Sequence, residues 1–158
     1  MGIPFATLKN DVDFRRELDQ WVADHRDEMV NELIQWASHP SISRADLAQP
    51  GAPFGPDCRD MLDFALSRGE AYGFTVENFE GYCGSIKFGT ADEEIGIACH
   101  TDIVPPGENW INEPYKPFEQ DGFLIGRGVS DNKYSGVAGL FIMRFLLVHR
   151  FILFNIVK

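Results

Sequence analysis

The sequence predicts an α/β fold, and three observations indicate it. An amphipathic pattern covers residues 11–38, a second helical stretch follows Pro56, and short strand-like segments follow between residues 74 and 100. Helices followed by strands in this way are typical of α/β architecture. The chain has 158 residues, which is enough for one domain with a hydrophobic core.

Residues 11–38 are predicted to form one long helix, because apolar residues recur at spacings of three and four and charged residues fill the other face. Pro40, in the stretch HPSIS, is expected to end this helix. We expect Trp21 and Trp36 to pack in the core, as large aromatic side chains usually do. The apolar face comprises Phe14, Leu18, Trp21, Val22, Met29, Val30, Leu33 and Ile34.

Residues 41–56 are rich in proline and glycine and are predicted to form a loop. Pro56 suits the first turn of a second helix, and Gly73 lies near the expected end of that helix. The residues predicted to face inward on this helix are Met61, Leu62, Ala65 and Leu66.

The remaining elements are predicted from alternation and turn residues. FTVENFE and GSIKFG indicate short strands, and EIGIACH, residues 94–100, indicates a buried one. FEQDGFLIGRG is typical of a hairpin around Asp121-Gly122. From Lys133 onward a helix is predicted to continue toward the end of the chain.

Net charge, the N-terminal residues and the cysteine spacing disfavour a nucleic-acid partner, a signal peptide and a disulfide framework. The formal net charge is -10, so a nucleic-acid backbone would be repelled, and we expect no such partner. The N-terminus has no basic stretch followed by a long apolar one, so no signal peptide is expected. The three cysteines, Cys58, Cys83 and Cys99, show no CxxC spacing. This favours a reducing cytoplasm over a disulfide framework.

His100 and Asp102 end the apolar run at residues 94–100 in the stretch IACHTDIVPPGENW. In a strand, residues two apart share a face, and ligands often bind at the carboxyl ends of strands in α/β sheets. Imidazole is a good zinc ligand, and Asp102 could hold its other ring nitrogen or bind the metal itself. Pro105 and Pro106 then stiffen the loop. The alternative is a strand-end histidine that makes one ordinary hydrogen bond.

Asp131 lies in a second motif, GRGVSDNK, directly before the predicted C-terminal helix. Gly126 and Gly128 allow a positive φ or a close approach of the backbone. Asp131 is therefore a candidate site residue, and a helix N-cap is the alternative role.

Taken together, HTDIVPPGENW and DGFLIGRGVSDNK resemble the cocatalytic-zinc peptidases that include aminoacylase, carboxypeptidase G and carnosinase-type dipeptidases. The chain looks most like the bacterial Xaa-His dipeptidase (PepV-like) branch, from about residue 14 to about residue 146. The resemblance implies a three-layer αβα catalytic domain with a mixed, mainly parallel sheet. It also implies two zinc ions, and a dipeptide or short peptide as substrate.

By the same resemblance, His100 matches a ligand of one zinc, and Asp102 matches the aspartate that clamps this histidine and supports catalysis. Asp131 matches the aspartate that bridges both metals, followed by a cis peptide bond to Asn132. A bridging carboxylate holds two cations about 3.5 to 4 Å apart, where they can polarise a scissile carbonyl.

Family members carry further ligands, a glutamate base and a lid domain that do not match any part of this chain. Residues 1–158 are therefore expected to be an incomplete catalytic domain, lacking the lid and the C-terminal half of the domain and inactive alone. A truncated or frameshifted reading frame is one expected origin. The alternatives are an N-acyl amino acid deacylase or desuccinylase of the same family, and a non-catalytic module.

Residues 140–157 contain fourteen apolar residues, interrupted by Arg144, His149, Arg150 and Asn155. A helix that is apolar all round belongs in a protein core, so this segment is expected to be covered by other parts of a domain or to self-associate. A membrane span is disfavoured because arginine within it is costly in lipid.

Overall fold

The computed structural model describes residues 11–89 and 94–149, and within these ranges the predicted mixture of helices and strands is confirmed. A short 3-10 helix, Ala45–Leu47, lies in the loop between the first two helices. The helices are α1 Val12–Ala37, α2 Pro56–Ala71 and α3 Tyr134–Val148; the strands are β1 Thr75–Phe79, β2 Cys83–Lys87, β3 Phe118–Gln120 and β4 Phe123–Ile125.

Helix α1 has the predicted bounds to within about a residue at each end, because both ends carry strong local signals. The Asp11 carboxylate accepts hydrogen bonds from the backbone N–H groups of Asp13 and Phe14, at 2.9 and 3.1 Å. It thereby satisfies two donors that have no partner inside the helix. The helix ends at Ala37, before Pro40, which cannot donate a backbone hydrogen bond.

Helix α2 begins at Pro56, as predicted, and packs on the antiparallel hairpin β1–β2. Two glycines permit this close packing. A Cβ atom on Gly69 would lie 2.8 Å from Ile86 Cγ2, and one on Gly84 would lie 2.9 Å from Leu66 Cδ2. Both predicted strands of this hairpin are confirmed.

The predicted hairpin around Asp121-Gly122 is also confirmed. Gln120 pairs with Phe123, so the connection has two residues, and both have a positive φ, 52° for Asp121 and 79° for Gly122. That backbone conformation matches the right-handed twist of the flanking strands. An ion pair between Glu119 and Arg26 joins the hairpin to α1.

The prediction of a buried strand at residues 94–100 is wrong. The segment has no regular secondary structure, and Ile95 and Ile97 are 59% and 53% exposed. A strand needs a neighbouring strand to pair with its backbone N–H and C=O groups, and no strand among the described residues pairs with this segment. Just after the segment, Ile103 forms a single parallel bridge with Ile42. Both described sheets are antiparallel pairs, so the described residues do not form the mainly parallel sheet implied by the resemblance.

The core lies between α1, α2 and α3. Trp36 is 2% exposed and Trp21 is 9% exposed, which confirms the prediction for both tryptophans. The Trp21 ring makes edge-on contacts with Phe141 and Phe145, at centroid distances of 6.1 and 5.5 Å. Such pairs add to the energy of burying apolar area.

Helix α3 is apolar on every side, as predicted, but only part of it is covered. Phe141 is 2% exposed, whereas Ile142, Leu147 and Val148 are 49%, 45% and 66% exposed. The part of the apolar stretch beyond residue 149 lies outside the described residues. Among the described helices, none combines the length and the apolar character that crossing a membrane requires.

Candidate metal centre

The three predicted site residues lie side by side. His100 Nε2 is 3.1 Å from Asp131 Oδ1, and His100 Nδ1 is 3.2 Å from both Asp102 Oδ1 and the Asp102 carbonyl oxygen. His100 and Asp131, which the resemblance names as ligands of one zinc, are therefore close enough for a single cation to contact both. Their role as metal ligands stays a prediction.

The segment that carries His100 and Asp102 is positioned by hydrogen bonds outside any sheet. The Ser41 hydroxyl donates to the Thr101 carbonyl at 2.6 Å, and the Ile103 N–H donates to the Ser41 carbonyl at 2.9 Å. His100 and Asp102 therefore have a fixed backbone between them although the predicted strand is missing.

Asp131 lies in an irregular helical turn, Val129–Lys133, which connects to α3. The cis peptide bond implied between Asp131 and Asn132 is present. The N-cap position of α3 is Lys133, whose side chain makes no capping hydrogen bond, so Asp131 does not take the alternative N-cap role. Gly128, at the start of the turn, has a φ of 81°, and a Cβ atom there would lie 2.6 Å from Ile103 Cγ2. Glycine therefore lets the turn approach the segment that carries His100.

The site is open to solvent. The side chains of His100, Asp102 and Asp131 are 49%, 55% and 88% exposed. The pKa of His100 is raised above its ordinary value: partial burial, the largest single effect, favours the neutral ring, but hydrogen bonds from the ring to the Asp102 carbonyl and to the Asp131 carboxylate outweigh it. Both ring nitrogens face an acceptor, which favours the imidazolium.

The donor types fit a zinc ion. Imidazole nitrogen and carboxylate oxygen bind zinc at about 2.0 to 2.2 Å, and two such ligands at a tetrahedral angle are roughly 3.4 Å apart. The His100–Asp131 separation of 3.1 Å is close to that value. Asp102 faces Nδ1, and a proton held there would leave the Nε2 lone pair for a cation. In residues 11–89 and 94–149 no group of three or more His, Cys, Asp or Glu side chains could hold a metal, so the described residues offer two ligands to a four-coordinate ion.

Sequence reasoning missed Lys133, two residues beyond Asp131. Its side chain is completely buried, and Nζ donates to the carbonyl oxygens of Trp36 at 3.0 Å and His39 at 2.7 Å. Burial lowers the pKa of Lys133 to about 8, while Cys58 and Asp102 act in the opposite direction. A charged residue at the start of an apolar helix was the signal available in the sequence.

The loop after the site is stiffened by more than its two prolines. The Pro106 carbonyl accepts hydrogen bonds from Trp110 Nε1 and from the Arg127 guanidinium, each at 2.7 Å. The Arg127 guanidinium also lies over the Trp110 ring, 5.4 Å from its centroid. Glu113, farther along this loop, pairs with Lys116 at 2.8 Å.

Comparison with known proteins places this site in a matched segment. Residues 96–151 match the family model described as Peptidase family M20/M25/M40. The chain is 31% identical over 119 residues to a Bacillus subtilis (strain 168) protein named "Putative dipeptidase YtjP". The matched region covers 75% of this chain and 26% of that protein. It is 31% identical over 125 residues to a Staphylococcus epidermidis (strain ATCC 12228 / FDA PCI 1200) protein named "Putative dipeptidase", covering 79% and 27%. The chain thus spans about a quarter of the length of these curated relatives.

Proposed function

We propose that this chain is the N-terminal part of the catalytic domain of a zinc-dependent dipeptidase and that it supplies part of the metal site. The observation that carries the proposal is the 3.1 Å approach of His100 Nε2 to Asp131 Oδ1. These residues are 31 positions apart, and both lie in the segment that matches the peptidase family. The dipeptidase names of the similar proteins support the same class of reaction.

In this proposal, His100 and Asp131 hold the metal, and Asp102 orients the His100 ring through Nδ1. When bound, zinc supplies Lewis-acid polarisation of the scissile carbonyl. The exposed Asp131 carboxylate has a second oxygen that can face a second cation, as the bridging role requires. Asp102 favours one ring tautomer, because a proton on Nδ1 faces an acceptor 3.2 Å away.

We further propose that the substrate of the whole enzyme is a short peptide of the Xaa-His type and that the enzyme works in the cytoplasm. The resemblance of both site motifs supports the substrate class. The unpaired cysteine pattern supports the compartment. Histidine-containing dipeptides and N-acyl amino acids, tested side by side on a full-length relative, separate the dipeptidase from the deacylase alternative.

The 158-residue chain assayed by itself is proposed to be inactive and to bind zinc weakly. The described residues offer two metal ligands, whereas zinc in proteins usually has four ligands. By the resemblance, the glutamate that serves as general base in the family has no counterpart among residues 11–89 and 94–149, and such a base is typically worth about 10²- to 10⁴-fold.

The experiment is a calorimetric titration of the chain with zinc and with cobalt, followed by an assay against Xaa-His dipeptides. We expect weak binding that His100→Ala and Asp131→Asn remove, and no turnover. Asp121→Asn is the matched control, because Asp121 is an exposed aspartate in the β3–β4 turn and should leave binding unchanged. Binding that survives both site variants contradicts the metal site, and turnover abolished by Asp131→Asn contradicts the inactivity.

A second candidate function is a non-catalytic module that associates through α3. The exposed side chains of Ile142, Leu147 and Val148 on this helix favour it. Sedimentation velocity tests it: association that Leu147→Glu abolishes supports such a module, and a chain that stays monomeric at all concentrations excludes self-association.

A further inference from the structure

The end of α1 and the residues after it contact both halves of the candidate metal centre. We infer that this stretch, residues 36–42 and here named the anchor segment, sets the position of His100 relative to Asp131. Ser41 and Lys133 act as the positioning residues. The inference rests on the proposed function, because positioning His100 against Asp131 matters only if they bind a metal. The coupling between the two halves can nevertheless be measured without a metal.

Ser41 attaches the first half of the site. The Ser41 side chain is completely buried. Both the side-chain hydroxyl and the backbone carbonyl of Ser41 form hydrogen bonds to the segment that carries His100. The hydroxyl donates to the Thr101 carbonyl at 2.6 Å, and the carbonyl accepts the Ile103 N–H at 2.9 Å. Because Thr101 lies between His100 and Asp102, these two bonds fix the backbone that presents both side chains.

Lys133 attaches the second half. Its buried Nζ donates to the carbonyls of Trp36 and His39, and its backbone N–H donates to the Gly128 carbonyl at 3.1 Å, which closes the turn around Asp131. The Trp36 carbonyl lacks the donor four positions later that an α-helix would supply, because residue 40 is proline; besides Lys133 Nζ it accepts the His39 N–H at 3.3 Å. A cation at the C-terminal end of α1 is also favoured by the helix dipole.

The two halves also contact each other next to the anchor segment. Gly128 lies against Ile103, and a Cβ atom at Gly136 would lie 2.6 Å from the Trp36 ring and 3.2 Å from Cys99 Sγ. These contacts leave no room between the turn, the start of α3 and the segment before His100. The anchor segment therefore holds together two segments that no described β-sheet joins.

A purely local structural role for Ser41 and Lys133 makes a different prediction. In that case each substitution loosens only the half that it belongs to. If the anchor segment couples the halves, Ser41→Ala loosens the Lys133 turn, and Lys133→Met loosens the Thr101–Ile103 stretch. Hydrogen exchange of single backbone amides reads out each half separately.

The experiment measures native-state amide exchange in the 158-residue chain by NMR. We expect the Lys133 amide to exchange about tenfold faster in Ser41→Ala, and the Ile103 amide about tenfold faster in Lys133→Met. Phe145→Leu, a core substitution on α3 away from the anchor segment, is the control for general destabilisation. The inference is overturned if each substitution speeds amide exchange only in the half that carries it. It is also overturned if Phe145→Leu speeds exchange of the same amides equally once the rates are corrected for the loss of global stability.

If Lys133→Met does not fold by circular dichroism, Ser41→Ala decides alone: an unchanged Lys133 amide overturns the inference. A cobalt titration then separates this inference from the proposed function. Cobalt binding that requires His100 and that weakens about tenfold in Ser41→Ala supports both. Binding that requires His100 but is unchanged in Ser41→Ala overturns the anchor role only. Binding that is independent of His100 overturns the proposed function, and amide exchange still decides the anchor role.

Discussion

Glu32 and Arg68 form an ion pair between α1 and α2 in which the carboxylate is almost completely buried. Arg68 Nη2 lies 2.7 Å from Glu32 Oε2, and the Glu32 side chain is 2% exposed. Trp36 Nε1 and the Tyr72 hydroxyl also donate to this carboxylate, at 3.0 and 3.1 Å. The cluster fixes the mutual orientation of α1 and α2.

Removing the arginine should destabilise the protein strongly. Arg68→Ala leaves the Glu32 carboxylate buried with two neutral donors, and losing one partner of a buried ion pair costs about 3 to 5 kcal/mol. Urea denaturation measures the change in unfolding free energy. Arg16→Ala is the control, since the Arg16–Asp13 pair is 75% and 82% exposed and should change stability by less than about 1 kcal/mol. Equal effects of the two substitutions would contradict the buried pair.

The same carboxylate should make stability depend on pH. Burial alone would raise the pKa of Glu32, but the hydrogen bonds from Arg68, Trp36 and Tyr72 outweigh it, so the pKa is lowered. A lowered pKa in the folded state stabilises fully above the unfolded value, about 4.3, and this stabilisation is lost as the pH falls through the folded pKa. We expect Glu32→Gln to flatten the acid side of the stability curve. Parallel curves for the two proteins from pH 7 to pH 3 would show that Glu32 is not responsible.

Gly128→Ala should disturb the site through the backbone. The φ of 81° is unfavourable for alanine, and the added Cβ would lie 2.6 Å from Ile103 Cγ2, so the turn must move away from the His100 segment. We expect a loss of about 1 to 3 kcal/mol of stability and weaker cobalt binding. Gly107→Ala is a matched control with a φ of 77° and open space around it, and it should show the backbone cost alone. Cobalt affinity equal in the two variants would mean that the close approach to Ile103 is unimportant.

Arg127→Met should loosen the loop after the metal centre. The substitution removes a hydrogen bond to the Pro106 carbonyl and the stacking on Trp110. We expect faster cleavage after Glu108 by a glutamate-specific protease, because an exposed loop is cut when it opens locally. Arg59→Met removes a similar guanidinium–carbonyl bond, to Gly51 at 2.6 Å, and should leave this cleavage rate unchanged. A rate that Arg127→Met does not raise would assign the stiffness of the loop to its prolines.

Elements with local signals could be predicted from the sequence. The hairpin at Asp121-Gly122 depends on two adjacent residues that accept a positive φ, and α1 depends on a cap at Asp11 and a breaker at Pro40. The residues of the candidate site were also named from sequence, but through two motifs that resemble a known family. Their physical chemistry alone left an ordinary hydrogen-bonding histidine and an N-cap aspartate as alternatives.

The sequence by itself determined which residues are chemically able to form the site, where α1 begins and ends, where α2 begins, and where the β3–β4 hairpin turns. Tertiary structure alone decided that residues 94–100 do not pair as a strand, since an apolar run becomes a strand only beside a partner for its backbone groups. It also decided that Ser41 and Lys133 join the two halves of the site at residues 36–42. The Ser41 hydroxyl contact spans 60 positions of the chain, and the two Lys133 Nζ contacts span 94 and 97 positions. No spacing rule in a sequence specifies hydrogen bonds over such separations.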